Sequence, residues 1–201
     1  MNSLAFTTYY SYNDLGEIEW IINKWVDGKY NTIKYKYDLQ KRITQIDFLG
    51  DQSIYNYYKF FEYDDIGRLL NVYTADNSSG IDKEKVAEYE YFADGTVKRL
   101  ELGPEGDKVQ GVDYQYNERG WIAQINHQNL TSTDDPGGDG TNGLPLDKYG
   151  MVIGYNNVSG NIASAQNATA QWNGNISWLM YKMYGVTTGG SLVEIHILMI
   201  M

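Results

Sequence analysis

The sequence contains no cysteine, which excludes a disulfide framework and a thiolate metal site and leaves the redox compartment undetermined. Basic residues are few, since 16 Lys and Arg stand against 26 Asp and Glu and give a formal net charge of −10. Nucleic acids and anionic membranes are bound through basic patches, so we expect neither as a partner. No apolar run approaches the roughly 18 residues that span a membrane, and the opening stretch MNSLAFTTYY lacks the features of a signal peptide. We therefore expect no membrane insertion and no signal peptide in this chain.

Proline and phenylalanine are scarce, whereas tyrosine and glycine are abundant. The chain has 3 prolines and 5 phenylalanines against 19 tyrosines and 21 glycines. Tyrosine favours half-buried β-strands and glycine favours tight turns, so the composition predicts an all-β protein. A length of 201 residues allows at most two domains.

Five copies of one short pattern follow one another along residues 7–126. Their sequences are YSYNDLGEIEWI from Tyr10, YKYDLQKRITQI from Tyr35, FEYDDIGRLLNV from Phe61, YEYFADGTVKRL from Tyr89 and YQYNERGWIAQI from Tyr114. The second aromatic residue of each copy falls at Tyr12, Tyr37, Tyr63, Tyr91 and Tyr116, with successive spacings of 25, 26, 28 and 25. A regular period of this size indicates a repeat architecture.

Each copy predicts a strand, a turn and a returning strand, because the two rings of Tyr-x-Tyr share one face of a strand. Residues that open turns follow in four copies, namely Asn13, Asp38, Asp64 and Asn117. Glycines that favour positive φ stand three positions after the start of the turn in four copies, namely Gly16, Gly67, Gly95 and Gly120. The second copy has Lys41 in place of the glycine, and the fourth has Phe92 in place of the turn residue, with Asp94 as a substitute. We expect these two hairpins to be looser.

Adjacent hairpins are expected to stabilise one another, because a lone hairpin is at best marginally stable in water. Equivalent tyrosines then form a ladder across strands, with each aromatic pair contributing about 0.2 to 1 kcal/mol. We predict a single elongated, curved sheet of consecutive hairpins over residues 7–126, a Gly/Asp-rich loop over 127–149, further strands over 150–186 and an atypical apolar tail over 187–201. The small, polar stretch 156–171 is typical of an irregular link.

The repeat resembles the signature of the Rhs or YD-repeat family, Tyr-x-Tyr-Asp-x-x-Gly-Arg-Leu. The stretch YDDIGRL at 63–69 matches that signature almost letter for letter, and QWNGNISWLMYK at 171–182 is similar to a Gly-Asn-Ile-Ser segment of Rhs proteins of the Bacteroidetes type. The resemblance implies a strip of β-sheet that spirals into a hollow shell. In bacterial toxin systems such a shell encloses a toxic segment, and in animals a related shell belongs to cell-surface adhesion proteins. Five repeats are too few to close a shell.

The resemblance therefore implies a structural, non-catalytic section of shell wall, secreted or carried on the cell surface as part of a longer parent protein. The expected partners are the remaining repeats of that parent, self-association through sheet edges, an enclosed toxin segment or a surface carbohydrate. The family's self-cleaving motif, Asp-Pro-x-x-Gly-Leu, has only a superficial echo in DDPGGDG at 134–140, which lacks the leucine. We expect no catalytic residue, no cofactor and no metal.

Other candidate residues have simpler explanations than a site. Asp134, Asp135 and Asp139 offer oxygen ligands for calcium, but EF-hand spacing is missing and the glycines around them fit a flexible connection. Nothing near His127 or His196 suggests a catalytic triad. The alternative function is a carbohydrate-binding β module that stacks sugars on exposed aromatic rings, for which the candidates are Trp20, Trp25, Trp121, Trp172 and Trp178. Tryptophans packed between hairpins indicate a wall segment, whereas two or more on an open face indicate a sugar binder.

The tail EIHILMIM at 194–201 contains no tyrosine and departs from the repeat. One interpretation is an out-of-frame tail of a truncated gene product: if Ile195 and Ile197 are encoded by ATA, the shifted frame reads Tyr-Thr-Tyr, the opening of a sixth repeat. The other is a genuine apolar edge strand, since the residues alternate. Both interpretations are compatible with pairing as a β-strand.

Overall fold

A computed structural model describes residues 6–51, 56–156, 169–187 and 190–199. These ranges contain 13 strands and no helix, which confirms the all-β prediction. They therefore contain no helix that could cross a membrane. The strands are β1 Phe6–Tyr12, β2 Ile18–Trp25, β3 Tyr30–Tyr37, β4 Ile43–Leu49, β5 Tyr57–Tyr63, β6 Leu69–Ala75, β7 Glu84–Tyr91, β8 Val97–Leu102, β9 Gln110–Tyr116, β10 Ile122–Ile125, β11 Tyr149–Gly154, β12 Trp178–Thr187 and β13 Gly190–Met199.

The chain divides into two compact units, Met1–Glu88 and Tyr89–Met201. The boundary lies within β7, in the middle of the repeat array. In a hairpin array each element packs chiefly against its neighbours along the chain.

In the first unit, consecutive strands pair antiparallel from β1 to β7. A register shift recurs just before the last tyrosine of β1, β3 and β5, so that Tyr12 lies opposite Ile18, Tyr37 opposite Ile43 and Tyr63 opposite Leu69. A bulge at this position is the expected companion of a short loop that ends in a residue with positive φ. The same turn therefore produces the same hairpin each time.

In the second unit, β8 to β13 pair antiparallel in chain order. The Gly/Asp-rich stretch forms the connection between β10 and β11. The tail does pair as a strand, since β13 runs along β12 from Gly190 opposite Thr187 to Met199 opposite Trp178. Most of the link predicted over 156–171 lies outside the described residues.

Buried apolar side chains are few in the described part of the chain, namely Tyr58, Ala87, Leu144 and Trp178. The buried polar side chains are Gln45, Asp47, Arg99, Asp113, Asn126, Asp139, Asp147 and Ser177. Strand residues are mostly half buried, as they are throughout β6. Backbone pairing and buried polar contacts therefore contribute much of what holds each unit together.

Candidate functional site: tyrosine latches and a buried charge network

The same backbone hydrogen bonds close the turn of each repeat. In the first hairpin, Gly16 N donates to Asn13 O over 3.0 Å and Asn13 N donates to Glu17 O over 2.9 Å. The Asn13 side chain accepts the N–H groups of Leu15 and Glu17. The glycines at this position have φ of 79°, 92°, 90° and 75° in chain order, as the turn assignment predicted.

The two exceptional turns are closed in the same way. Lys41 adopts a φ of 64°, and its N–H donates to Asp38 O over 3.1 Å. In the fourth repeat, Gly95 N donates to Phe92 O over 3.0 Å, while the Asp94 carboxylate accepts the N–H of Thr96 at 2.9 Å. The expectation of looser hairpins is therefore wrong for the geometry of these turns. A lysine can occupy the glycine position because left-handed backbone costs it only about 1 to 2 kcal/mol.

In the second, third and fifth repeats, and again at Tyr155, a tyrosine hydroxyl bonds to the hairpin before it. The acceptor is the carbonyl of the first residue in the return strand of that preceding hairpin. We call this bond a tyrosine latch. The described latches join Tyr37 to Ile18 at 2.8 Å, Tyr63 to Ile43 at 2.8 Å, Tyr116 to Val97 at 3.0 Å and Tyr155 to Ile122 at 2.9 Å.

Each latch serves a carbonyl that lies beyond the end of the paired strands. Pairing of β2 with β3 stops at Trp20, two residues after Ile18, and pairing of β4 with β5 stops at Gln45, two residues after Ile43. The second unit has the same offset at β8 and β10. A carbonyl without a strand partner requires another donor, which the phenol supplies. Burial raises the pKa of the latch tyrosines, so they remain protonated donors.

The five tyrosines singled out by the repeat occupy one structural position, the last residue of β1, β3, β5, β7 and β9. The sequence suggested contacts between aromatic rings at this position. What the structure shows for Tyr37, Tyr63 and Tyr116 is a hydroxyl bond to the main chain. Tyr12 has the same place on β1, but it is 59% exposed and its hydroxyl bonds to no described residue.

Sequence reasoning missed Tyr155, which follows directly after β11. Its ring lies 5.0 Å from that of Trp121, in addition to its latch to Ile122. Ile153 stands where the other copies have the first aromatic residue of the Tyr-x-Tyr pair, so the pattern was hidden. The sequence feature that could have identified Tyr155 is the asparagine that follows it, Asn156. Two of the recognised copies also place asparagine after the second tyrosine.

A network of charged side chains is buried in the second unit. Arg99 on β8 donates through Nη1 to Asp113 Oδ2 at 2.5 Å, through Nη2 to Asp139 and through Nε to Glu101 at 3.1 Å. Lys108 pairs with the other oxygen of Glu101 at 3.1 Å. Arg99 and Asp113 are each 5% exposed, and Asp139 is completely buried. Asp135 and Asp147 complete the set, and these seven residues are called the charge network below.

Three of the network's aspartates, Asp135, Asp139 and Asp147, come from the Gly/Asp-rich loop. Asp135 Oδ1 accepts the N–H groups of Gly137 at 2.8 Å and Asp139 at 3.0 Å, which shapes the loop around the Arg99 guanidinium. A Cβ atom on Gly137 would overlap Arg99, so glycine permits the close approach. Contrary to the flexible connection that its glycines suggested, the centre of the loop is tied to β8 by buried ion pairs. Asp134 takes no part in them and bonds instead within the loop.

The network moves the pKa values of its carboxyl groups in opposite directions. Burial acts to raise the pKa of Glu101, but hydrogen bonds from Arg99 and Lys108 outweigh it and lower that pKa. Burial, a hydrogen bond to Asp135 and repulsion by neighbouring carboxylates raise the pKa of Asp147 to about 8. The neutral form is thus favoured at Asp147, whereas the ionised form is favoured at Glu101.

Three carboxylates of the network are close enough together to hold a cation. Oxygen atoms of Asp113, Asp135 and Asp139 lie within 4.8 Å of one another. The Arg99 guanidinium already binds two of the three, so it acts as their counter-ion. The cluster is therefore part of an ion-pair network, and its Asp139 Oδ2 is buried without a hydrogen-bond partner among the described residues.

The remaining candidates are scattered. His127 lies in the loop after β10, where its Nδ1 accepts the N–H of Asn129 at 3.2 Å, and His196 belongs to β13. Trp178 is buried and Trp172 is 66% exposed. The other three tryptophans are half buried.

Comparisons with known proteins do not place the chain in a family. No protein-family model matches it, and no match is found among curated proteins. The resemblance to Rhs or YD-repeat proteins thus rests on the residues of the repeat and of the Gly-Asn-Ile-Ser segment.

Proposed function

We propose that this chain is a structural, non-catalytic wall section of a larger Rhs or YD-repeat protein that is secreted or held at the bacterial surface. The observation that carries the proposal is the tyrosine latch, which links successive hairpins by one bond in both units. A repeated link of constant geometry allows a sheet to grow by the addition of equivalent hairpins. Such a sheet is suited to enclosing a cargo, such as a toxin segment, or to presenting a surface.

The edge of β1 supports a role within a longer array. This strand pairs with β2 on one side, and no described strand pairs with its other side. Tyr12 holds the latch position there, with its hydroxyl exposed. An unpaired edge that carries a latch tyrosine is suited to receive the return strand of a preceding hairpin of the same kind. Such a hairpin is what the parent protein supplies in this proposal.

A carbohydrate-binding module is the alternative, and the exposure of Trp172 favours it. Sugar stacking on an open face calls for at least two such rings. Trp178 is buried and the other tryptophans are half buried, which supports the wall section instead.

The test of the proposed function is the DNA that encodes and flanks the chain. The proposal expects neighbouring sequence, read in either the same or a shifted frame, to encode further Tyr-x-Tyr hairpins with glycine three residues after the turn residue. A self-contained gene between unrelated genes contradicts the wall section. Isoleucine codons other than ATA at 195 and 197 contradict the out-of-frame interpretation of the tail alone.

A glycan array tests the alternative. Binding that is lost in Trp172→Ala and kept in the edge-strand control Tyr10→Ala favours the carbohydrate-binding module. A wall section is expected to give no Trp172-dependent signal on the array.

A further inference from the structure

Asp147 places a buried carboxyl group against other carboxyl groups. Asp147 lies two residues before the start of β11 and is only 3% exposed. Its Oδ1 accepts the side-chain amide of Gln110 at 2.6 Å, and its carboxyl group lies beside that of Asp135. Its Oδ2 is buried and receives no donor from the described residues.

Two adjoining carboxyl groups repel each other when both are ionised, so one of them is expected to carry a proton. Asp135 is not the carrier, because its Oδ1 accepts backbone N–H groups from Gly137 and Asp139, and such bonds favour the ionised form. The protein donor to Asp147 is the uncharged amide of Gln110. The proton therefore belongs on Asp147.

The charge balance of the network leads to the same assignment. Five carboxyl groups, those of Glu101, Asp113, Asp135, Asp139 and Asp147, share the two cations Arg99 and Lys108. Arg99 binds Glu101, Asp113 and Asp139, and Lys108 binds Glu101. The groups that face Asp147 are then the carboxylates of Asp135, Asp139 and Asp113, all of which repel a negative charge. A buried charge without a counter-ion is expelled or neutralised, and protonation is the available route.

We propose that Asp147 is a neutral carboxylic acid in the folded protein at neutral pH, and that its proton is the donor that ties the end of the acidic loop to Asp135. Removal of this proton by base leaves the buried carboxylate of Asp147 beside that of Asp135 and destabilises the second unit. This inference is independent of the proposed function, because it concerns the stability of the loop alone.

The direction of the pH effect follows from proton linkage. An aspartate in an unfolded chain ionises near pH 3.9. The raised pKa of Asp147, about 8, means that the folded protein holds an extra proton at this position between about pH 4 and 8. Across that window the folding equilibrium constant falls by up to about tenfold per pH unit as the pH rises. Above the window, both states are ionised at this position and its contribution becomes constant.

Burial also raises the pKa of Asp113, against the effect of Arg99, so this group acts with the same sign as Asp147. Two other carboxyl groups of the network act in the acid range. Glu101 and Asp135 have lowered pKa values, because hydrogen bonds to their ionised forms outweigh the effect of burial. Their stabilisation is present above the pKa of the unfolded chain and is lost as the pH falls into the acid range. The effect of Asp147, which extends from about pH 4 to 8, is therefore separable from theirs.

Carbon NMR of the full chain, labelled with ¹³C at the aspartate carboxyl carbons, tests the proposal directly. One carboxyl signal is expected to titrate with a midpoint near pH 8, to be missing from Asp147→Asn and to persist in Asp107→Asn. Asp107 is an exposed control in the loop between β8 and β9. The proposal is overturned when every aspartate signal of the folded wild type titrates below pH 6, or when the signal near pH 8 survives in Asp147→Asn.

Urea denaturation of the same variants gives the linked stability. Asparagine at 147 keeps an oxygen for Gln110 and supplies an N–H for Asp135, without a proton that base can remove. The folding equilibrium constant of the wild type is expected to fall up to about a hundredfold between pH 6 and 8, whereas that of Asp147→Asn changes little. Equal pH dependence in both proteins contradicts the proposal. Because the NMR titration of the wild type needs no variant, a poorly folded Asp147→Asn does not prevent the decision.

Discussion

Individual side chains, rather than a large apolar core, make the specific contacts between neighbouring hairpins. A latch phenol replaces the strand partner that a carbonyl lacks at the end of the paired region. Arg99 fixes the acidic loop in a similar way, because its guanidinium binds both Asp113 on β9 and Asp139 in the loop. Each contact depends on a single functional group, so a substitution that removes that group tests the contact.

Removing the Tyr63 hydroxyl is expected to destabilise the protein. In Tyr63→Phe the Ile43 carbonyl loses its 2.8 Å bond, at a cost of about 0.5 to 1.5 kcal/mol in the free energy of unfolding. The measurement is urea denaturation at pH 6 with the full chain. Tyr12→Phe is the matched control, since the Tyr12 hydroxyl bonds to no described residue, and its change is expected to stay within about 0.5 kcal/mol. Equal losses in the two variants argue against the latch.

A methyl group on Gly137 is expected to disrupt the charge network. The new Cβ would overlap Arg99 Nη1 and Asp113 Oδ2, so the buried ion pair must separate. Breaking a buried pair costs about 3 to 5 kcal/mol, which urea denaturation would detect as a large fall in midpoint. The control is Gly143→Ala in the same loop, which has a φ of 94° but open space around its Cβ. That control carries only backbone strain of about 1 to 2 kcal/mol, and a similar loss in both variants would show that the overlap is relieved cheaply.

At the scale of the element, the five-residue connection that begins at Asn13, Asp38, Asp64, Phe92 or Asn117 is the unit that recurs. Its hydrogen bonds depend mainly on the backbone, which explains why the turn survives the loss of glycine at Lys41 or of the turn residue at Phe92. Side-chain acceptors add to this where they are present, as Asp64 does for Ile66 and Arg68. The turn is accompanied by the register shift that sets the tyrosine before it opposite the first residue of the return strand.

Lys41→Gly is expected to stabilise the second hairpin. Lysine at a φ of 64° carries strain that glycine does not, so the free energy of unfolding should rise by up to about 1 kcal/mol after the entropic cost of glycine. Thermal denaturation measures the change. Leu39→Gly in the same turn is the control, because Leu39 is 99% exposed and is not among the residues with positive φ. It should destabilise slightly, and a rise in stability for both variants would attribute the effect to something other than φ.

At the scale of the whole molecule, each unit is stabilised mainly by contacts between successive strands. The described strands pair only with their neighbours in the chain order within each unit. Arrays of this kind leave terminal strands that can pair with other chains. We expect the isolated chain to be marginally stable or to self-associate.

A lysine on the edge strand is expected to reduce self-association. Tyr9 on β1 is 50% exposed, and charge on an unpaired edge opposes strand addition. Light scattering across a concentration series should show association for the wild type and less for Tyr9→Lys. Ile66→Lys, which places the same charge on a turn residue that is 77% exposed, should behave like the wild type. A wild type that stays monomeric and melts in one sharp transition would contradict this prediction.

Local features were readable from the sequence because they depend on residues close together in the chain. Alternation places Tyr-x-Tyr on a strand, and a turn residue followed three positions later by glycine closes the chain on itself. The hairpins and the positive φ of Gly16, Gly67, Gly95 and Gly120 followed from these rules. These rules did not identify a sixth tyrosine of the same kind, Tyr155, because Ile153 occupies the position of the first aromatic residue in its pair.

The sites depended on contacts for which the sequence carries no local sign. A latch acceptor is a main-chain carbonyl, which every residue has, so only the end of strand pairing singles out Ile18 or Ile43. Arg99 bonds to Asp139, which lies 40 positions further along the sequence, and the residues around neither of them predict the contact. Burial then turns aspartates that read as a solvated loop into an ion pair and, at Asp147, into an acid with a raised pKa. Desolvation and long-range approach are properties of the folded chain, and they separate this network from an ordinary acidic loop.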